Sequence, residues 1–243
     1  MSRFFINKSD IVNNEITLTD DNHKHLSFVL RARQGDTVTV CDGECVDYLC
    51  KVNCFTKDAT TLTIINSSKN KNESDVKYIL FQALPKGDKA EYIIEKAVEL
   101  GAYRICFFES INCISKLNSD KAQKKSERFN SISLTAAKQC NRGIIPKVDF
   151  CGGFDNAFNN LLKYKNHTLF YEGGNTVYIK EIFSSMNDID EYAFMIGPEG
   201  GFDIREIEKA KEHNIVLGSL GNRILRTETA SLFVLSSLEF YYN

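Results

Sequence analysis

Several familiar signals are missing from this chain of 243 residues, and each absence narrows its function. No apolar run approaches the ~20 residues of a bilayer-crossing helix, so no membrane span is expected. Charge is nearly balanced at a net −2, which leaves no global pull toward nucleic acid or acidic lipid. Any RNA site must then be a local patch. The start, Met1-Ser2-Arg3-Phe4-Phe5-Ile6-Asn7-Lys8, has neither the apolar core nor the small-residue cleavage site of a signal peptide, and a cytoplasmic protein is expected. No GxGxxG follows the first strand of the α/β part, and no GxxxxGK[ST], serine nucleophile elbow or HExxH occurs anywhere. The common nucleotide-binding and hydrolase classes therefore have little support.

Eight cysteines are present, but not at the spacing of a metal site. Cys41, Cys45, Cys50 and Cys54 cluster without a CxxC knuckle or a histidine at ligand distance, so no metal is expected. Cys50 and Cys54 share strand parity with Val46 and Val52, as small core residues would. In a cytoplasmic setting the thiols are expected to stay reduced.

The composition, 43% apolar and 26% charged, is that of a globular protein with room for two domains. The first ~66 residues read as β: Thr37–Val40, Val46–Val52 and Thr61–Ile65 are short, β-branched and separated by turns such as Asp42-Gly43. They predict a small barrel or sandwich over residues 1–70. His23–Arg33 reads as one helical stretch with Leu26, Val29 and Leu30 on one face. The polar run Asn66–Asp75 marks a boundary. Residues 76–243 then alternate strand and helix, from the strand Val76–Leu84 and the helix Asp88–Leu100 to the strands Tyr192–Ile196 and Ile215–Leu217 and a last helix Thr227–Tyr241. That alternation predicts an α/β fold with a parallel sheet covered on both faces. Asp88 and Glu91 form a possible capping pair, and the basic run Lys121–Arg128 reads as a solvated helix face or a polyanion contact.

Two glycine turns carry the functional signal. Gly197-Pro198-Glu199-Gly200-Gly201-Phe202 follows one apolar strand, and Gly218-Ser219-Leu220-Gly221 follows another and leads through Arg223 and Arg226 into the last helix. Glycine turns let backbone N–H groups approach a ligand, and a helix N-terminus favours negative charge. Two such turns would line one crevice at the carboxyl edge of a sheet. Gly152-Gly153 and Gly173-Gly174 read only as turns.

These pieces stand within a longer ordered set: Arg3-Phe4-Phe5; His25-Leu26 with Val29-Leu30-Arg31; Gly35-Asp36; Asp42-Gly43; Lys86; Glu95-Lys96-Ala97; Glu99-Leu100-Gly101; Glu127-Arg128; Ala137; Gln139; Arg142; Ile145-Pro146; the turn at Gly197; and Leu220-Gly221 followed by Arg223-Ile224-Leu225-Arg226-Thr227-Glu228-Thr229-Ala230. In this order and spacing they resemble the RsmE family of 16S ribosomal RNA uridine N3-methyltransferases, in the SPOUT superfamily, over nearly the whole chain. One departure is Cys140 after Gln139, where the family usually has serine. The resemblance implies a SPOUT-type parallel sheet with a C-terminal trefoil knot, preceded by a PUA- or OB-like β-barrel that helps hold RNA. It also implies a homodimer, S-adenosylmethionine as cofactor, and a uridine in the decoding centre of the small ribosomal subunit as target. Two alternatives remain: a SPOUT methyltransferase acting on another RNA, and a non-catalytic assembly factor of the same fold.

Mapped onto these residues, the resemblance places the cofactor against Gly197, Pro198, Glu199, Gly200, Gly201, Leu217, Leu220, Gly221, Ile224, Leu225 and Thr229. Uracil N3 becomes nucleophilic as its proton leaves, and the charge spreads onto O2 and O4, where Arg226 or Arg223 would stabilise it. Glu228 or Glu199 would accept the proton. Glu228 fits equally well as a carboxylate held by the helix dipole. Arg3, His25, Arg31, Lys86 and Arg142 are the RNA-phosphate candidates, though each could equally serve an ion pair or the surface.

Overall fold

The computed structural model describes residues 3–114 and 119–242, the side chains of residues 119–122 excepted. Met1, Ser2 and the Lys121 side chain therefore lie outside the described residues. The chain divides into two compact units, Met1–Glu73 with Ala137–Ile145, and Ser74–Ala136 with Pro146–Asn243.

The first unit holds β1 (Arg3–Phe5), β2 (Ile11–Val12), β3 (Glu15–Thr19), α1 (Asp20–Lys24), β4 (Thr37–Cys41), β5 (Val46–Phe55) and β6 (Ala59–Lys69). They form one six-stranded sheet in the order β1-β4-β5-β6-β3-β2. It is antiparallel except where β1 runs parallel to β4. Along β3, Ile16 and Leu18 are buried while Glu15, Thr17 and Thr19 face out, the alternation of a strand with one wet face. Phe4, Leu26, Val40, Cys50, Val52 and Leu62 complete its core.

Three expectations for this unit needed correction. The helix expected over His23–Arg33 is α1 followed by one wide turn, His25–Val29, in which the Leu30 N–H donates to the His25 carbonyl five residues back. The wide turn rotates the following side chains away from the core, so Leu26 is buried but Val29 and Leu30 are exposed. Arg31, at φ 52°, ends the segment. Cys54 is exposed rather than core, because an irregularity in the β5–β6 register between Val52 and Cys54 breaks the strand parity. The β structure does not stop near residue 66: β6 continues to Lys69, pairing Ser68 with Asp47 and Lys69 with Val46, and Asn70 is buried, so the units divide later in the polar run, after Glu73.

The second unit holds β7 (Lys77–Ala83), α2 (Lys89–Glu99), β8 (Ala102–Glu109), α3 (Ser119–Gln139), β9 (Lys147–Gly153), α4 (Phe154–Leu161), β10 (His167–Phe170), β11 (Val177–Tyr178), α5 (Ile179–Ser184), β12 (Glu191–Ile196), α6 (Ile204–Glu212), β13 (Leu217–Ser219) and α7 (Thr227–Tyr242). Its seven strands form a sheet ordered β11-β13-β10-β12-β7-β8-β9, parallel at every pairing. The central strands are apolar on both faces, with Tyr78, Leu80, Phe81, Tyr192, Phe194 and Met195 all buried. Helix α2 buries Ala90, Ile93, Ile94, Ala97 and Val98, one helical stripe, each isoleucine worth roughly 1.5–3 kcal/mol of transfer. Its expected cap does not form: Asp88 makes no side-chain capping bond, and the Glu91 carboxylate is drawn to Arg128 at 2.7 Å. Among the described residues no helix is long and apolar enough to cross a membrane, and no group of three or more ligand-type side chains could hold a metal ion.

Candidate active site

At the carboxyl ends of three adjacent parallel strands, β13, β10 and β12, lies a cavity of about 360 Å³. Each strand delivers a turn into it. β12 ends at Ile196 and continues through Gly197, Pro198, Glu199 and Gly201; β13 ends at Ser219 and continues through Leu220, Gly221, Arg223, Ile224, Leu225 and Arg226. β10 contributes Phe170, Tyr171 and Glu172, just before the Gly173-Gly174 turn that the sequence marked as a turn and nothing more. A glycine pair after an apolar strand was the available signal for this third wall.

The glycines fit the cavity for specific reasons. Gly221 sits at φ 110° and Gly201 at φ 69°, where side chains are strained. A Cβ on Gly201 would also meet Glu172 Oε1 at 2.5 Å. Gly200 turns the other way: a Cβ there would meet Asn112, and the residue does not line the cavity. The β12 turn runs into α6, whose start is a capping box. Asp203 accepts from the Arg205 N–H, and the Glu206 carboxylate returns to the Asp203 N–H at 2.9 Å. Glu206 is buried and also accepts from Ser110 Oγ and the Ile111 N–H.

Thr227 ties the two turns together. Its Oγ1 donates to the Gly197 carbonyl at 2.6 Å and accepts from Gln82 Nε2 at 2.8 Å. Both side chains are buried, and Gln82 stands in the middle of the sheet on β7. Thr227 belongs to the motif that follows Leu220-Gly221, but a glutamine inside an apolar strand is the only sign in the sequence of its contact with Gln82.

Polar groups converge at the mouth. Lys89, in the first turn of α2, places Nζ 3.1 Å from Glu199 Oε1 and 3.3 Å from Glu228 Oε2, thereby joining the two carboxylates expected as alternative bases. Those carboxylates, Glu199 first, hold the lysine above its ordinary range. Burial alone would raise Glu199, but the N–H groups of Glu199 and Lys86 and the Lys89 ammonium together keep its carboxyl below its ordinary value. Glu228 lies in the first turn of α7, and its Oε2 is buried without a regular hydrogen bond. Arg223 and Arg226 are exposed, and neither guanidinium has a polar partner among the described residues. Glu228 and Thr229 flank a second depression that shares Lys89 and Arg226 with the cavity. Leu217 is buried within β13.

Residues 72–239 match the RNA methyltransferase domain family. The ribosomal RNA small subunit methyltransferase E of Bacillus subtilis is 31% identical over 99% of this chain and 96% of its own length. The chain belongs to the ribosomal RNA small subunit methyltransferase E family. The Mesomycoplasma hyopneumoniae relative is 32% identical over 97% of this chain and 98% of its own. The crystal structure of the Neisseria gonorrhoeae member, bound to S-adenosyl methionine, superposes with a TM-score of 0.86 at 27% identity, covering all of this chain and 98% of that one.

The expected RNA ligands of this family member differ in how free they are. Arg3 is buried and ion-paired with Asp47. Arg142 is buried too, and its guanidinium makes a two-point contact with Glu73, at 2.8 Å from Nε and 2.6 Å from Nη2. Both arginines are engaged by carboxylates within the first unit. His25, Arg31 and Lys86 are exposed; His25 packs edge-on to Phe4 at 5.8 Å.

Proposed function

We propose that this chain methylates N3 of a uridine in 16S ribosomal RNA of the small subunit, using S-adenosylmethionine. The observation that carries the reading is one cavity in which three glycine-bearing turns meet two guanidiniums without a polar partner among the described residues, beside a depression that holds the Glu228 carboxylate and shares Lys89 and Arg226 with it. Its volume falls within the range of small-molecule sites, and its lining combines backbone, apolar side chains and few polar groups. Glu172 is suited to hydroxyl or ammonium groups, and Ile196, Leu220 and Leu225 to an aromatic base. When bound, the cofactor supplies an electrophilic methyl on a sulfonium.

The chain's own residues handle the nucleophile. Glu228 Oε2 takes the N3 proton, because Glu199 is already engaged by two donors and held at low basicity. Arg226, with Arg223 beside it, donates to the uracil oxygens as charge develops there. Lys89 ion-pairs both carboxylates and holds them in place. N3 lies on the pairing edge, so the base enters unpaired. The reading includes a trefoil knot formed by the C-terminal segment, a homodimer, a PUA- or OB-like RNA-holding barrel in the first unit, and work in the cytoplasm. The deciding experiment is labelled methyl transfer onto isolated small subunits followed by nucleoside analysis; label absent from N3-methyluridine overturns the proposal.

Three variants probe the parts. Gly221→Val is expected to abolish S-adenosylmethionine binding by calorimetry while the protein stays folded by circular dichroism; undiminished binding in a folded variant moves the cofactor elsewhere. Glu228→Gln keeps the shape but not the proton acceptor, and is expected to cost about 10²–10⁴-fold in turnover with little change in cofactor affinity. Lys89→Met tests the ion pairs through stability. A carboxyl held below its ordinary 4.5 stabilises the fold above that pH, and loses the contribution as pH falls through the lowered folded value. The urea midpoints of wild type and Lys89→Met should differ at neutral pH and converge in acid; a constant gap would mean that Lys89 acts by packing alone.

A further inference from the structure

Away from this cavity, β8 and β9 run parallel with Cys106 opposite Asp149, two residues before Cys151. The two cysteines line a separate small cavity of about 130 Å³, together with Arg104, Asn160, Lys163, Tyr164 and Phe81. Cys106 is buried and Cys151 partly exposed. The Arg104 guanidinium shares that cavity with both thiols and is tethered to Asp149 at 2.7 Å. Lys163, which donates to Asn160 Oδ1 at 2.7 Å, adds a second cation to the walls. These surroundings, the Cys106 S–H first and against the opposing effect of burial, draw the Cys151 thiol below its ordinary range. Burial instead pushes Cys50 up to about 11, and raises Cys41, Cys45 and Cys113. A thiol held in a cationic, partly open pocket beside a second thiol is the arrangement of a reactive cysteine with a resolving partner.

We infer that Cys151 and Cys106 form a site of oxidation by small hydroperoxides, with Cys151 attacked first and Cys106 closing a disulfide between β8 and β9. The Cys151 thiolate attacks one peroxide oxygen; an S–O bond forms, the O–O bond breaks, and the departing oxygen leaves as water or an alcohol after taking a proton. The Cys106 sulfur then attacks the sulfenic sulfur, the S–S bond forms, and the hydroxyl leaves with the Cys106 proton as water. Two electrons pass from the thiols to the peroxide. The cavity has room for only a few water-sized molecules, at ~30 Å³ each, which admits hydrogen peroxide but not a tripeptide disulfide.

The test uses the full chain, treated with one equivalent of hydrogen peroxide or of oxidised glutathione, then denatured, alkylated and mapped by peptide mass. Peroxide is expected to remove the Cys106 and Cys151 thiols together, as one linked peptide pair, before the exposed Cys54 reacts. Glutathione disulfide is expected to leave both free. In Cys106→Ala a dimedone adduct should accumulate on Cys151. Should that variant not fold, the wild-type map still decides. Reaction first at Cys54 or another cysteine, or oxidation of Cys151 without loss of Cys106, overturns the inference.

Discussion

Arg226→Ala is expected to lower the rate of methyl transfer by about a hundred- to a thousandfold, while S-adenosylmethionine affinity changes far less. The guanidinium stands at the cavity mouth, exposed and without a polar partner among the described residues, so its donors are free for an incoming base. Uracil without its N3 proton offers two acceptors flanking the reacting nitrogen, and a planar fork can serve them where a point charge cannot. Arg226→Lys should therefore recover only part of the loss. Turnover is read on small subunits and affinity by calorimetry. If binding weakens in parallel with rate, Arg226 holds the cofactor, and charge stabilisation is not its role.

Glu73→Ala is expected to destabilise the protein by about 3–5 kcal/mol, read as a drop in the urea midpoint. The carboxylate faces Arg142 inside the first unit, with side chains only 9% and 4% exposed, and it also accepts the N–H groups of Gly143 and Ile144. Removing it takes the two-point carboxylate contact from a buried guanidinium and the acceptor from two backbone donors together. The double variant Glu73→Leu, Arg142→Met removes the buried charge but leaves those two donors unmet, each worth about 1–3 kcal/mol, so only partial recovery is expected. A loss under about 1 kcal/mol for Glu73→Ala would mean that the pair does not anchor the 137–145 segment.

Arg226 and Arg142 differ in how much of their setting is legible in the sequence. Arg226 follows a glycine turn at a helix start, a local pattern visible in a dozen residues. Arg142 has the same chemistry in sequence, but its partner Glu73 lies 69 residues away, and Asp47 lies 44 from Arg3. Nothing local distinguishes a free guanidinium from a paired one. The parallel sheet was legible because its strands are apolar on both faces and each is followed by a helical stripe. The His25–Val29 turn was not, since Leu26, Val29 and Leu30 keep a helical spacing that the wide turn undoes. Lys89 escaped notice for a related reason. Its meaning arises only where α2 brings its ammonium to Glu199 and Glu228, 110 and 139 residues further along the chain.

The strand order has a consequence for the birth of the enzyme. β13 lies between β10 and β11, both made before it, and β11 has no other neighbour in the sheet. During synthesis the earlier strands can assemble, but a slot remains beside β10 until the segment from Leu217 onward emerges from the ribosome, and that segment also brings Arg223, Arg226, Thr227 and Glu228. Domains fold as the chain emerges, but a pairing that must wait for the far end is a late step. The nascent chain therefore has no working pocket, and cannot sequester cofactor, until that segment has emerged. A truncation anywhere upstream of Leu217 yields a sheet with an unfilled gap rather than a slower catalyst.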